Sequence, residues 1–498
     1  MLNQVQEFES FRSTQRRLPD PFRRTGTPRT VVVIPSITLD DAGLVKIPGV
    51  SHYEERLLFT LQWLRHPGTE IVYVTSEAIA PEVVDYALDL VPTLPRAHAR
   101  RRLTMLDCAS REPVPLSAKI LRRPDLLDRL RAAVHDRDDA VLVAFNGSPL
   151  ERTLAVELGI PLYAPDPDQS VLGSKTGSRR LFAAAGVPVV EGLDGLRDTD
   201  DVVAALAELR GRDPALRGAI VKLNESFGAG GNVLFEYAGA PATGLVDWVR
   251  RELPGRAVFA SPPDTWDNYR GQLDTMGGVV ERHVEADEIT SPSAQILMSP
   301  DGTATVFSTH DQLLEGEPRQ IFAGCAFPAS AAYRLEIQDL AAQAGQALAA
   351  RGIVGICSVD FVSARTGDDW RHYALEINLR MGGGTAPFYL LHGLVEGGYD
   401  PTTGRYLDPT GAPRGYVATD RLYRPEYRAL SPSDVIDILM DCGLHYRPGP
   451  RAGAVAYMLG ALEIGRFGVV MIDAGTAVAE ARYRTFVAAL DNRVRALR

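Results

Sequence analysis

Residues 355–380, GICSVDFVSARTGDDWRHYALEINLR, carry two runs of alternating apolar and polar residues on either side of RTGDD. The Thr-Gly-Asp cluster is a turn signal centred near Gly367–Asp368, so the stretch predicts an antiparallel hairpin. Folded there, Asp360 lies about opposite Glu376. Strand side chains alternate between faces. Ser358 and Asp360 therefore share one face, and Glu376, Asn378 and Arg380 share one face of the partner strand. Val359, Phe361, Leu375, Ile377 and Leu379 fall on the opposite faces. One side reads as core, the other as a line of oxygen donors ending in a guanidinium. Two carboxylates opposed across strands repel each other. A bound cation reverses that penalty, and Asp, Glu and Asn oxygens are the hard donors Mg²⁺ prefers. Taken alone, an ordinary amphipathic hairpin with a wet face is the plainer reading.

A second stretch, KLNESFGAGGN at 222–232, sets a lysine at the end of an apolar run and a glycine-rich turn after it. The chain has 53 Lys+Arg but only four lysines: Lys46, Lys119, Lys175 and Lys222. A cation in this chain is almost always arginine, which gives weight to a lysine beside glycines. Backbone amides of such a turn can donate to phosphate oxygens as a nest, and Lys222 adds a compact charge. Lys175, in GSKTGS, has a similar setting, whereas Lys119 reads as a solvated side chain. Neither stretch matches a nucleotide fingerprint. GxGxxG would need glycine where Val233 stands, and Ser174 breaks the P-loop pattern. A third stretch, GGVVERHVEADEIT, ends a β-run in Glu281, Arg282, His283 and Val284. It suits a connector whose backbone can read an adenine edge, with Glu288 seven residues after Glu281 to meet ribose hydroxyls.

With 498 residues, 45% of them hydrophobic, the chain can form several cored domains. A net charge of −10 argues against broad nucleic-acid binding. The four cysteines, Cys108, Cys325, Cys357 and Cys442, stand far apart without a CxxC pair. That pattern fits a reducing compartment, so cytoplasmic localisation is expected. The first 29 residues lack the apolar core of a signal peptide, and no apolar run is long enough to span a membrane.

Between Thr30 and about Ala164, strand-like RTVVVIPS, EIVYVTS and DDAVLVAF alternate with helical SHYEERLLFTLQWLRH, APEVVDYALDLV and RPDLLDRLRAAVHD. The alternation predicts a largely parallel α/β sheet. From Val171 to Leu394, hairpins mix with helices in an α+β pattern. The expected division is a flexible N-terminal segment (1–29), an α/β domain (30–170), an α+β domain (171–394), a connecting loop region (395–430) and a small α+β C-terminal domain (431–498). Ser431 and Pro432 mark the start of the last.

GSKTGSRRLFAAAGVPVVEG, IVKLNESFGAGGN, VVERHVEADEI and VDF…YALEINLR follow one another in an order that resembles the ATP-grasp carboxylate–amine ligases. GVSHYEERLLF, FNGSP, NESFGAGGN and EINLRMGGGTAPF are similar to the pheganomycin-type peptide ligases within that superfamily. The resemblance runs from residue 30 to the end. It implies an ATP-grasp fold, with a Rossmann-like pre-ATP-grasp domain before it and a small C-terminal domain after it. It also implies ATP held by Lys175, Lys222, Ser226, Phe227, Gly228, Gly230, Gly231, Glu281, Arg282, His283, Val284 and Glu288. Asp360, Glu376 and Asn378 would take two Mg²⁺ ions, and Lys222 and Arg380 would be catalytic. Some ATP-grasp ligases carry arginine where Ser358 stands, and Arg380 is expected to supply that charge.

The implied activity joins a small carboxylic acid or amino acid to an amine or peptide acceptor through an acyl phosphate, releasing ADP and phosphate. Neither nucleic acid nor membrane is an expected partner, and a homodimer is compatible. The alternatives are another ATP-grasp activity, as a small-molecule kinase or carboxylase, or a non-catalytic nucleotide-binding protein.

Overall fold

The computed structural model describes residues 4–22, 29–38, 44–45, 47–225, 231–260, 265–315 and 321–497. Three sheets organise them. The first is parallel, with strands Thr30–Ile34, Glu70–Thr75, Leu103–Asp107, Ala140–Ala144 and Leu162–Tyr163 in spatial order third, second, first, fourth, fifth. Val31 to Ile34 and Val141 to Val143 are fully buried. Helices cover both faces of such a sheet, and so its central strands read as unbroken apolar runs. The strand order reverses between the first and fourth strands, the place where open α/β sheets present their ligand crevice. Thr38 N there donates to Asn146 Oδ1 at 3.0 Å.

The second sheet is antiparallel. It contains Gly192–Leu196, Gly278–Arg282, Gly218–Leu223, Asn232–Glu236 and Val258–Phe259 in that order, with helices Thr199–Arg212, Leu245–Arg256 and Trp266–Met276 packed about its own core. The third has 11 strands. The expected hairpin, Gly355–Thr366 with Asp369–Asn378, lies at one side of it, and helix Arg334–Ala349 packs on its face. The turn falls at Gly367–Asp368, with Thr366 paired to Asp369 and φ +60° at Gly367.

Four expectations from the sequence differ from the structure. Residues 4–15 of the N-terminal segment form helix Gln4–Gln15. Phe11 is buried, and Gln15 exchanges side-chain hydrogen bonds with both backbone groups of Leu162, at 3.0 and 2.7 Å. Phe22 packs against the rings of Trp63, Tyr163 and Tyr389, an anchorage that the polar sequence of the segment concealed. The connecting region, read as loop from its Gly, Pro, Tyr and Arg content, holds strand Pro413–Tyr423. That strand pairs with Ile321–Phe327 on one side and Arg466–Asp473 on the other, so the C-terminal strands continue the large sheet. SHYEERLLFTLQWLRH winds as a 3₁₀ helix over Val50–Arg65. Three residues per turn set Tyr53, Arg56, Phe59 and Gln62 in one row, and the Arg56 guanidinium lies 4.2 Å over the Tyr53 ring. Lys119 is buried, donating to Ser76 Oγ at 2.8 Å and Ser110 O at 3.1 Å. Ser76 in turn donates to Glu54, whose burial raises its carboxyl to about 7.

Candidate active site

Lys175 opens helix Lys175–Ala185, capped by Ser174, whose Oγ accepts from Gly177 N at 3.0 Å. Asn224, two residues beyond Lys222, fixes this helix end to the glycine-loop strand. Its carbonyl accepts from Lys175 N at 3.0 Å, its Oδ1 accepts from Thr176 N at 2.9 Å, and its Nδ2 donates to Met276 O at 2.9 Å. The two lysines are thereby brought together from separate elements.

Lys222, on Gly218–Leu223, donates to Glu281 Oε2 at 2.5 Å, and Arg179 Nη1 takes Oε1 of the same carboxylate. Lys222 is 7% exposed and Glu281 2%. Burial alone would raise the Glu281 pKa, but Lys222 and Arg179 hold it below the usual glutamate value. Arg179 also donates to Val190 O at 2.9 Å. Gly231, at φ +114°, closes the base of the glycine loop. Its carbonyl accepts from Leu223 N and Tyr269 OH, each at 3.0 Å. Ser226, Phe227, Gly228 and Gly230 lie outside the described residues, as does Lys46.

On the hairpin, Asp360 pairs with Glu376 and Ser358 with Asn378, and a bulge follows Asp360. Val359, Phe361 and Ile377 are buried on the other face. Asp360 accepts from Gln312 Nε2 at 3.1 Å and Asn378 Nδ2 at 3.0 Å, while Lys175 Nζ contacts Glu376. Burial, ahead of the opposing pull of Lys175 and Arg380, raises the Asp360 pKa. Burial, Lys222 and Arg380 lower Lys175 to about 7, against Asp360 and Glu281.

Among the described residues, neutral amides alone hydrogen-bond to Asp360, and the carboxylate of Glu376 stands directly opposite. A divalent cation would compensate both. No cluster of three or more His, Cys, Asp or Glu side chains suited to a metal occurs among the described residues. Two carboxylates and the Asn378 amide therefore form an incomplete shell. That fits Mg²⁺, which keeps waters and takes phosphate oxygens rather than filling an all-protein cage.

Arg380 follows directly. Asn146 and Arg380 form an isolated antiparallel bridge, and Met381 N donates to Phe145 O at 3.0 Å. The carboxyl end of the parallel sheet thus meets the end of the hairpin. Burial lowers the Arg380 pKa, with Asp360 opposing and Arg56 assisting. Gly383 and Gly384 in the turn that follows leave no room for a side chain. A Cβ would come within 2.7 Å of the Phe322 ring or 2.8 Å of Gln295 Nε2.

The connector residues differ among themselves. Arg282 pairs with Glu191 and Asp213 at 3.2 and 3.1 Å, His283 N donates to Gly218 O at 2.9 Å, and Glu288 accepts from Arg365 at 2.9 Å. Residues 283–286 run without regular structure, with Val284 half-buried. Sequence reasoning missed Arg179, Asn224 and Gln312. Arg179 was accessible to it, one helical turn after Lys175 on the same face. Gln312 was not, because its strand register cannot be read locally.

Residues 255–401 match the family model described as IQCH-like, ATP-grasp. Over 453 residues the chain is 34% identical to L-propargylglycine--L-glutamate ligase of Streptantibioticus cattleyicolor, covering 89% of this chain and 90% of that one. It is 20% identical over 426 residues to IQ motif-containing protein H of Danio rerio, covering 76% of this chain and 40% of that one. Among solved structures, a biotin carboxylase from Campylobacter jejuni in a β,γ-ATP complex superposes with TM-score 0.56 at 13% identity, over 93% of this chain and 91% of that one. The ADP complex of purK, an N5-carboxyaminoimidazole ribonucleotide synthetase, superposes with TM-score 0.52 at 13% identity, over 93% and 97%. At such identities these two structures speak for the fold.

Proposed function

The chain belongs to the ATP-grasp carboxylate–amine ligases, enzymes that form an amide bond at the expense of ATP, and on that premise we propose that it joins an amino-acid carboxylate to the amine of a second amino acid or peptide. The relative from Streptantibioticus cattleyicolor is named for two amino acids, which supports this substrate class.

In this reading a carboxylate oxygen attacks the γ-phosphorus of ATP. A new O–P bond forms, the bond to ADP breaks, and an acyl phosphate results. The amine nitrogen then bonds to the acyl carbon, loses a proton, and phosphate leaves. Lys175 and Lys222 would hold the phosphates, and Glu281, gripped by Arg179, would fix where the Lys222 ammonium stands. Asn224 would keep the two lysines in register. The 283–286 connector with Val284 would face the adenine, and Glu288 the ribose. The glycine loop, with Ser226, Phe227, Gly228, Gly230 and Gly231, would cover the nucleotide and exclude water from the acyl phosphate.

Asp360, Glu376 and Asn378 would hold two Mg²⁺ ions, which when bound neutralise charge on the phosphate oxygens. Arg380 would bind the substrate carboxylate, since its side chain has no hydrogen-bond or ion-pair partner among the described residues. The same proposal takes 30–170 as the pre-ATP-grasp domain and 171–394 as the ATP-grasp domain. Free cysteines, three of them buried, support a cytoplasmic setting. No helix among the described residues is long and apolar enough to cross a membrane.

The observation that carries the reading is the meeting of two lysines from separate elements beside an opposed carboxylate pair and an arginine whose side chain has no partner among the described residues. Purified protein with ATP, Mg²⁺ and amino-acid pairs tests it, with ADP, phosphate and amide quantified. Release of ADP that needs no amine and yields a phosphorylated or carboxylated product would instead identify the kinase or carboxylase.

A further inference from the structure

Three glycines follow Met381, so the chain entering helix Thr385–Leu394 has no side chain there with which to hold itself. Glycine backbone has the most freedom to lose on folding. Ahead of the glycines, Arg380 is fixed by its bridge to Asn146 and by Met381 N, which donates to Phe145 O at 3.0 Å. Behind them, Thr385 is the first residue whose side chain can act as an anchor. Its Oγ1 accepts from Gly382 N at 2.9 Å and donates to Gln295 Oε1 at 2.6 Å. Gln295 Nε2 in turn donates to Ser308 Oγ at 3.2 Å. Thr385 N closes the turn on Gly382 O at 3.1 Å.

The position of Gln295 gives this chain of hydrogen bonds its direction. On strand Pro292–Met298, Gln295 pairs with Ser358 on one side and Ser308 on the other. Residues directly opposed across strands share a face, so Gln295 lies on the face that carries Ser358 and Asp360. The glycine turn rests on that face. A Cβ on Gly382 would stand 3.7 Å from Ser358 Oγ, and one on Gly384 would stand 3.0 Å from His310 Cε1. Gln295, Ser308 and Thr385 are each 2% exposed or less. Filling the space alone calls for apolar side chains, because a buried polar group costs free energy unless it is paired. A fully paired polar network instead specifies one geometry. Here it specifies the turn that leads out of Arg380.

Resting on the ligase reading above, in which Arg380 takes the substrate carboxylate, we propose that Gln295 and Thr385 are positioning residues. Together they tie the glycine turn to the sheet face and so set where the Arg380 guanidinium stands. The two lysines have separate supports in Asn224 and in Arg179 acting through Glu281. Loosening the turn should therefore weaken the acid and spare ATP.

Hydroxylamine reads acid activation without knowledge of the amine, because its nitrogen bonds to the acyl carbon of an acyl phosphate, phosphate leaves, and a hydroxamate remains. The full chain is assayed with ATP, Mg²⁺, hydroxylamine and each standard amino acid, and the best acid is carried to the variants. Thr385→Val should raise KM for that acid by about tenfold, with kcat and KM for ATP within about threefold of the parent. Thr385→Ser keeps the hydroxyl and should restore KM for the acid. Gln295→Met should match Thr385→Val, and the double variant should be no worse than either single one.

Hydrogen exchange in the peptide spanning 381–386, followed by mass spectrometry, reads the tether without any substrate. It should quicken by about tenfold in Thr385→Val and stay as in the parent in Thr385→Ser. Unchanged acid KM in a folded Thr385→Val variant, KM for ATP raised as far as that for the acid, or unaltered exchange overturns the proposal. If Thr385→Val does not fold, Gln295→Met carries the same kinetic comparison. Hydroxamate from no acid in the parent, beside faster exchange in Thr385→Val, removes the ligase reading and keeps the tether.

Discussion

Replacing Lys222 with alanine separates the two things this side chain does. In the folded chain it sits 2.5 Å from Glu281 Oε2 and is almost fully buried. Stripping one partner from a buried ion pair costs about 3–5 kcal/mol when the other charge is left alone. Glu281 is not left alone, because Arg179 holds its second oxygen. The expected loss is therefore nearer the cost of one charge-assisted hydrogen bond, about 1–3 kcal/mol. Domains of ordinary stability, about 5–15 kcal/mol, stay folded after such a loss.

Catalysis should suffer more. Removing one preorganised donor from charge that develops in a transition state costs about 10²–10³ in kcat. Lys222→Ala should thus show a somewhat lower melting temperature, an intact circular dichroism spectrum, and ADP release slowed by about two to three orders of magnitude. Lys222→Arg should keep the Glu281 pair and the fold. A planar fork in place of a compact ammonium should still cost about tenfold or more in rate. A folded Lys222→Ala variant with kcat/KM within about threefold of the parent would refute the phosphate role.

Asp360→Asn should abolish ATP turnover while raising thermal stability in the absence of metal by about 1 kcal/mol or less, because it removes the repulsion of two carboxylates paired across the hairpin; differential scanning calorimetry and an ADP-release assay read the two effects. Asn224→Ala frees the amide of Thr176 and the carbonyl of Met276. It should raise KM for ATP by about tenfold with a smaller change in melting temperature than Lys222→Ala; unchanged KM in steady-state kinetics would contradict the strut role. His52 contacts Glu463 at 2.7 Å and Glu55 at 3.5 Å. Burial disfavours its charge, but the two carboxylates outweigh burial and raise its pKa from 6.5 to about 9. A raised folded pKa gives stability that is complete below 6.5 and lost as pH climbs through about 9. That contribution, on the order of 2–3 kcal/mol, should make wild type lose more than His52→Gln between about pH 6 and pH 9.5 in urea titrations.

Much of the site was legible because each of its motifs is local in sequence. One turn signal and a period of two brought Asp360 close to Glu376; the turn alone would set it against Leu375, and the bulge after Asp360 supplies the last step of the register. Lys222 and Lys175 stood out through lysine scarcity. What escaped depends on contacts between distant segments. The row Arg56, Phe59 and Gln62 faces one way only because Val50–Arg65 winds with three residues per turn, and its apolar spacing alone suggested the commoner helix. Lys119 could not be placed without knowing that Ser76 and Ser110 converge on it. Strand Pro413–Tyr423 was hidden by Arg, Pro and Gly, which a strand between two neighbours in a large sheet tolerates once its apolar face is buried.

The central claim is that an activated substrate carboxylate passes through an acyl phosphate before meeting an amine. Heavy-oxygen labelling of the carboxylate of the acid substrate, with the released phosphate and the amide analysed by mass spectrometry, tests it most directly. The account predicts that each amide formed is matched by one ADP and by one phosphate that carries a single heavy oxygen from the acid. Unlabelled phosphate, or label recovered in AMP, would contradict it.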